Sequence, residues 1–497
     1  MLKQDIPLEL QSKLLRVLQE QEFERLGSTR TLGQTVAQRS LQSVAERTSH
    51  PNYGYNIHLG RNAFINYNCV FLDCAPIEIG DDLQMAPAVQ LSTAQHPLEG
   101  TCAARDWNTL DRFASVTMCG LGLDDRLGVR PLFCEWCVMK AITVIPGRPN
   151  SVRLEDVEEP VTSNGSLLVQ TLAVGVCGTD GEIVRGEYGF APPNRSRLIL
   201  GHESLGRVVH APDGGGFQVG DLVVGIVRQP DPVPCASCAV GEWDMCRNGR
   251  YAEHGIKELD GFAAERFSIA PRFAVTVPPG LEDVGVLLEP TSVVAKAWEQ
   301  IERIGARAHW RAARALITGA GPIGLLAALL GVQRGLEVHV LDRATEGPKP
   351  GLVTDLGATY YAGPPAAACI DVDVVLECTG VGQLVFEVMK CIAPSGIVCL
   401  TGVSSGHRQL TVDMDALNRE LVLENNVVFG TVNANRRHYE AAADALVRAD
   451  RGWLKRLITR RVPLDRWVEA FVRQPHDVKT VIDFTREAGH CHSGSVL

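Results

Sequence analysis

The 497-residue chain contains no run of about eighteen apolar residues, so no membrane-spanning helix is expected. It also lacks a basic N-terminal region followed by an apolar run, so a cytoplasmic location is expected. Positive charge is in deficit: 48 Lys and Arg against 58 Asp and Glu give a net charge of −10. That balance argues against a surface that wraps nucleic acid or docks on an anionic membrane, and neither partner is expected. A closed disulfide framework is missing too, since the 15 cysteines are odd in number and scattered over a long chain. What is present is ordinary for a globular protein, with 45% hydrophobic and 21% charged residues and length enough for two to four domains.

The first 138 residues read as pieces. Over residues 5–30, Leu10, Leu14, Leu15, Val17 and Leu18 fall on one helical face with charged residues opposite, which predicts an amphipathic helix followed by a short extended segment. This stretch, within the fragment 1–48, resembles part of the AAA+ ATPase domain of bacterial enhancer-binding transcription activators. An ATPase of that kind needs a G-x-x-x-x-G-K-[ST] loop to cradle phosphates; the chain has none, and ATPase activity is excluded.

In the fragment 49–100, small and branched apolar residues return at roughly six-residue spacing between residues 52 and 99, as in a left-handed β-helix. The segment resembles sugar O-acetyltransferases of the maltose and galactoside type, with His96 in the place of that family's general base. A β-helix needs several stacked coils to bury a core, and those that should follow Pro97 are replaced by the unassigned stretch 101–138. Acetyl transfer is therefore not expected.

From Met139 the pattern changes to short alternating strands rich in Gly and Pro, which suits a small β-barrel-like domain. Further on, residues 313–344 read strand, turn, helix, strand. The first strand ends in Gly319-x-Gly321-x-x-Gly324, with Pro322 and Ile323 opening the helix, and Asp342 closes the next strand. Glycines permit the tight turn and close approach of a pyrophosphate, whose charge the helix N-terminus favours. Asp342 is expected to accept the ribose hydroxyls of NAD, whereas Arg343 beside it suits the 2′-phosphate of NADP. Thr379, Gly380, Thr401 and Gly402 lie at predicted strand ends where the same cofactor would be held.

Cys177, His202, Glu203 and Glu289 offer the thiolate, imidazole and carboxylate groups that bind Zn²⁺, a catalytic site keeping one position open. The order Cys177 in VCGTD, then His202 and Glu203 in GHESLG, is that of zinc-containing medium-chain dehydrogenases. Those three are expected as direct ligands, with Glu289 ligating directly or through water. The alternative for Glu203 is a buried ion pair behind the metal, as in many alcohol dehydrogenases. Glu289, in an L-E-P setting, stands where alcohol dehydrogenases carry a cysteine and polyol and sugar dehydrogenases a glutamate.

The segments CGTDGEIVRGEYG, RLILGHESLGRVV, GEWDMCRNGRY, GIKELDGF and GTVNANRRHY together resemble the glucose 1-dehydrogenases of archaea and some bacteria, over nearly all of Met139 to Phe484. The resemblance implies an α/β fold: a GroES-like catalytic domain over 139–292, a Rossmann domain over 293–433, and a return to the catalytic domain over 434–497. It also implies oxidation of D-glucose or a related aldose at C1 to the gluconolactone, with Zn²⁺ and NADP or NAD. Cys177, His202, Glu203 and Glu289 would serve the metal and the chemistry. Thr179, Glu253, Glu289 and Asn433 would contact the sugar. A homodimer or homotetramer is expected.

Many relatives carry four cysteines in a separate structural zinc lobe, whereas here only Cys235, Cys238 and Cys246 occur, with Asp231, Asp244 or water left to complete a site. Alternatives are another zinc polyol dehydrogenase of the sorbitol or threonine type, or an inactive or regulatory fusion. The missing phosphate loop and the lack of a recognisable helix-turn-helix oppose a regulatory role.

Overall fold

A computed structural model describes residues 138–160, 165–404 and 409–485, together with short strand segments between Phe23 and Thr117. The chain divides into two compact units, Met1–Trp136 and Cys137–Leu497.

In the first unit, Phe23–Glu24 pairs antiparallel with Thr31–Leu32; the helix expected before them lies outside the described residues. Three parallel pairs follow, Ile57–Leu59 with Ile77–Ile79, Phe64–Ile65 with Gln84–Met85, and Val70–Leu72 with Gln90–Ser92. Each joins residues twenty positions apart. Ser115–Thr117 then pairs antiparallel with Gln90–Ser92. His96 lies outside the described residues.

The second unit is built around two sheets. Strand Leu167–Val176 pairs antiparallel with Glu203–His210, Arg266–Ile269 and Lys479–Asp483, so the C-terminal strand returns to the sheet near the start of the unit. Its alternating Leu167, Val169, Thr171 and Ala173 side chains are buried. The register sets Gly175 opposite Glu203 on one side and Val481 on the other. Glycine is required there, because a Cβ would lie 2.0 Å from Oε2 of Glu203.

The other sheet has six parallel strands in the spatial order Thr359–Ala362, Glu337–Asp342, Arg314–Thr318, Val372–Glu377, Ile392–Leu400 and Val427–Gly430. Numbered along the chain this is the doubly wound order 3-2-1-4-5-6, whose crevice at the strand C-termini takes a dinucleotide. Its strands are near-continuous apolar runs because helices cover both faces. Helix Leu288–Gly305 carries a wide apolar stripe that includes Val294, Ala297, Trp298 and Ile301, and it packs against helices Pro322–Gln333 and Arg436–Arg448. Its first turn holds Glu289.

Among the described residues, no helix is long and apolar enough to cross a membrane.

Candidate active site

Strand Leu167–Val176 ends one residue before Cys177, which is the N-cap of helix Gly178–Val184. The Cys177 sulfur accepts the Thr179 N–H at 3.2 Å, and the Cys177 N–H donates to Oδ2 of Asp180 at 2.9 Å, a reciprocal cap that fixes both side chains. His202 follows Gly201, whose φ of +86° makes the turn into strand Glu203–His210. Its Nε2 lies 3.1 Å from the Cys177 sulfur, and its Nδ1 lies 3.4 Å from Oδ1 of Asp180. The carboxylate thereby holds the ring with Nε2 turned toward the sulfur.

One donor atom each from Cys177, His202 and Glu203 lies within 4.8 Å of the others. Sulfur, imidazole and carboxylate converging in this way fit Zn²⁺. The Glu203 carboxylate is at the same time ion-paired with Lys479, whose ammonium also donates to the Val176 carbonyl at 3.2 Å. Of the two roles named for Glu203 from the sequence, the ion pair is present, and the same carboxylate lies within reach of the Cys177 and His202 donors. Glu289 stands outside the tight group but within its field. Burial pushes its carboxyl up to about 7, with Glu203 adding to the rise and His202 and Lys479 opposing it. Beside it, burial and the Glu289 charge hold the Tyr439 phenol well above its usual range, and the Tyr439 hydroxyl accepts the Val227 N–H at 3.2 Å.

Glu253 and Asn433 are joined directly, Nδ2 of Asn433 donating to Oε1 of Glu253 at 2.6 Å. Thr179 is half-buried in the first turn of the capped helix.

The three cysteines Cys235, Cys238 and Cys246 also cluster within 4.8 Å. Neither aspartate named as a fourth ligand belongs to that cluster. Asp244 is buried against Lys296 at 2.9 Å and Asn435 at 2.8 Å, while Asp231 accepts the Val233 N–H and Nδ2 of Asn248, both at 2.8 Å.

On the parallel sheet, Gly319 has φ +85°, Gly321 is the N-cap and Pro322 the first residue of the helix, with Ile323 half-buried after it. At Gly324 a Cβ would fall 1.7 Å from the Gly319 carbonyl oxygen, so only glycine closes the turn. Asp342 accepts the Ala320 N–H at 2.7 Å and the Ala344 N–H at 2.9 Å, and Lys349 meets its two oxygens at 3.2 and 3.1 Å. Arg343 is exposed and, among the described residues, makes no ion pair. Buried Glu377 organises the opposite rim. It accepts the N–H groups of Thr379 and Gly380 at 2.8 and 3.0 Å, and its carbonyl accepts those of Thr401 and Gly402 at 2.8 and 3.0 Å.

Comparison with known proteins agrees with this geometry. Residues 163–279 match the alcohol dehydrogenase GroES-like domain, and residues 282–484 match the glucose dehydrogenase C-terminus. The glucose 1-dehydrogenase of Methanocella arvoryzae is 40% identical over 356 residues, which are 69% of this chain and 99% of that protein. The chain belongs to the glucose 1-dehydrogenase family. It is of the zinc-containing alcohol dehydrogenase type. Glucose 1-dehydrogenase 2 of Vulcanisaeta moutnovskia is 41% identical over 351 residues, covering the same 69% of the chain and 99% of its own length. Among solved structures, the Haloferax mediterranei glucose dehydrogenase in complex with NADP, Zn and gluconolactone is similar, with 31% identity and a TM-score of 0.64 over 70% of this chain and 100% of that one. Residues 3–46 match the sigma-54 interaction domain, which agrees with the resemblance of residues 5–30 to enhancer-binding activators.

Four residues of the site have no role assigned from the sequence: Asp180, Lys349, Glu377 and Lys479. Asp180 was within reach, since an acid three residues after an N-cap is a capping-box signal. Lys479 joins Glu203 from 276 residues away, and no local pattern announces it.

Proposed function

We propose that the protein oxidises D-glucose, or a related aldose, at C1 to the lactone with NADP⁺ or NAD⁺ and Zn²⁺. The convergence of Cys177, His202 and Glu203 donor atoms beside Glu289 carries this reading. Cys177, His202, Glu203 and Glu289 would hold the metal, with Lys479 drawing on the charge of Glu203, so that Glu289 is the less committed carboxylate. Zinc supplies Lewis acidity at the C1 hydroxyl and the nicotinamide supplies the hydride acceptor when both are bound.

The chain's own groups do the rest. Asp180 keeps Nε2 of His202 turned to the site, and the Cys177 helix cap fixes the sulfur. Glu289, a buried carboxylate in the first turn of its helix, would take the proton of the C1 hydroxyl, directly or through a water. Thr179, Glu253 and Asn433 would hold the sugar, orienting C1–H toward the cofactor. Gly319, Gly321, Pro322, Ile323 and Gly324 would take the pyrophosphate, and Thr379, Gly380, Thr401 and Gly402 the nicotinamide end. Asp342 and Arg343 would meet the adenosine ribose, where Lys349 offsets the aspartate's charge and makes a 2′-phosphate acceptable. A homodimer or homotetramer and a cytoplasmic location complete the reading.

A panel of glucose, galactose, xylose, sorbitol and threonine, with each cofactor and formation of the reduced nicotinamide as readout, tests it. Turnover of sorbitol or threonine with none of the aldoses would sink the assignment.

A further inference from the structure

Glu253 is held by a residue to which no motif drew attention. Strand Arg228–Gln229 pairs antiparallel with Ala252–His254, setting Arg228 opposite Glu253, and both side chains are buried. Nε and Nη2 of Arg228 lie 3.0 and 2.9 Å from the same oxygen, Oε1 of Glu253. Asn433 donates to that oxygen as well, at 2.6 Å. A guanidinium fork ordinarily engages both carboxylate oxygens; here three donors converge on one. No donor among the described residues reaches Oε2, and Oε2 is not among their sealed, unpaired polar atoms.

The guanidinium is itself fixed from two further sides. Nη1 donates to the Asp244 carbonyl at 3.0 Å, and the group lies 3.7 Å above the ring of Tyr251. Asp244 is anchored in turn by Lys296 and Asn435. The residue before Arg228 reaches the metal side of the site, because the Val227 N–H donates to the hydroxyl of Tyr439, whose neighbour is Glu289.

We infer that Arg228 is a positioning residue for the sugar: it pins Oε1 of Glu253 and turns Oε2 outward to accept one hydroxyl of the aldose. The inference rests on the glucose-oxidising reading above. Physically, a carboxylate this buried needs a compensating charge, and Arg228 supplies it without using the oxygen that would meet substrate. A hydrogen bond from a neutral hydroxyl to a charged acceptor then fixes which way the ring sits.

The test uses full-length, zinc-loaded enzyme and compares wild type with Arg228→Met, Arg228→Lys, Glu253→Gln and the Arg228→Met/Glu253→Gln double variant. Substrates are glucose and its 2-, 3-, 4- and 6-deoxy forms. Arg228→Met should raise KM for glucose about ten- to a hundredfold, the range of one lost hydrogen bond to a charged group. kcat should fall by less than about threefold, and KM for the cofactor should stay put. Arg228→Lys should recover part of the loss, and the double variant should be no worse than Arg228→Met alone. One deoxy sugar should be penalised by the wild type and not by Arg228→Met.

Additive losses in the double variant, or an unchanged pattern of deoxy-sugar penalties, would overturn the role of Arg228 while leaving the glucose reading intact. A drop in kcat and cofactor affinity at constant glucose KM would do the same. If Arg228→Met does not fold, Arg228→Lys with the deoxy series decides. A wild type that turns over no aldose would overturn the glucose reading, and this proposal with it.

Discussion

Replacing Lys479 with Met should destabilise the enzyme unit more than almost any other single side-chain change. Lys479 and Glu203 are 1% and 2% exposed, so neither charge can turn to water when its partner is removed. Burial alone would lower the Lys479 pKa, but the charges of Glu203 and Cys177 overcome it and hold the group above its ordinary value, so the ammonium is charged at neutral pH. Breaking one side of such a pair costs about 3–5 kcal/mol, mostly as the penalty of the orphaned charge. With an unfolding entropy of about 2 cal/mol/K per residue over roughly 350 residues, that loss lowers Tm by about 4–7 °C. Scanning calorimetry on zinc-stripped protein is the assay. Adding Glu203→Gln to Lys479→Met removes the stranded carboxylate and should recover more than half of the loss. Zinc added to the single variant should also recover part of it, because the metal supplies the missing positive charge. A zinc-stripped Lys479→Met protein melting within 1 °C of wild type, or a double variant below the single one, would refute the reasoning.

Asp180→Asn, which weakens the hold on His202, should lower zinc affinity about 10- to 100-fold in chelator competition; unchanged affinity would count against the positioning role. Gly324→Ala drives a Cβ onto the Gly319 carbonyl and should abolish NAD(P)H binding measured by fluorescence, whereas Gly351→Ala, with open space around it and no positive φ, should not. His254 is buried and neutral, with Nδ1 2.7 Å from the Asp260 carbonyl and Nε2 3.1 Å from Nε2 of Gln229, and burial pushes its pKa down to about 4. The unfolded chain takes up that proton near pH 6.5 and the folded one only near 4, so stability falls as pH drops through this window, by up to about 3 kcal/mol. Denaturant unfolding between pH 7 and 4.5 should show a slope that His254→Gln flattens; equal slopes would exclude His254 as its source.

The sequence made legible whatever depends on local pattern. Gly319, Gly321 and Gly324 with Asp342 announced the nucleotide turn because each backbone need falls within one strand–turn–helix unit. The repeat between residues 52 and 99 likewise shows as three parallel strand pairs at a constant offset. Cys177, His202 and Glu203, expected as zinc donors from their chemistry and order, do come together within 4.8 Å. What stayed hidden is set by long-range register: Lys479 reaches Glu203 only because the last strand pairs with Leu167–Val176, and Arg228 meets Glu253 across a two-residue ladder. Glu377 gave no signal because its task is to hold backbone N–H groups, which no side-chain motif records. Asp244 and Asp231, left open as ligands beside the three cysteines, instead meet Lys296, Asn435, Val233 and Asn248.

The most direct test follows reduction of NADP⁺ and NAD⁺ by the purified full-length protein with D-glucose, before chelation, after zinc removal, and after zinc is returned. The account predicts glucose-dependent formation of reduced cofactor that disappears with the metal and comes back with it. Glucose oxidation that persists in demonstrably zinc-free protein, or no oxidation of any aldose by the zinc-loaded protein, would contradict it.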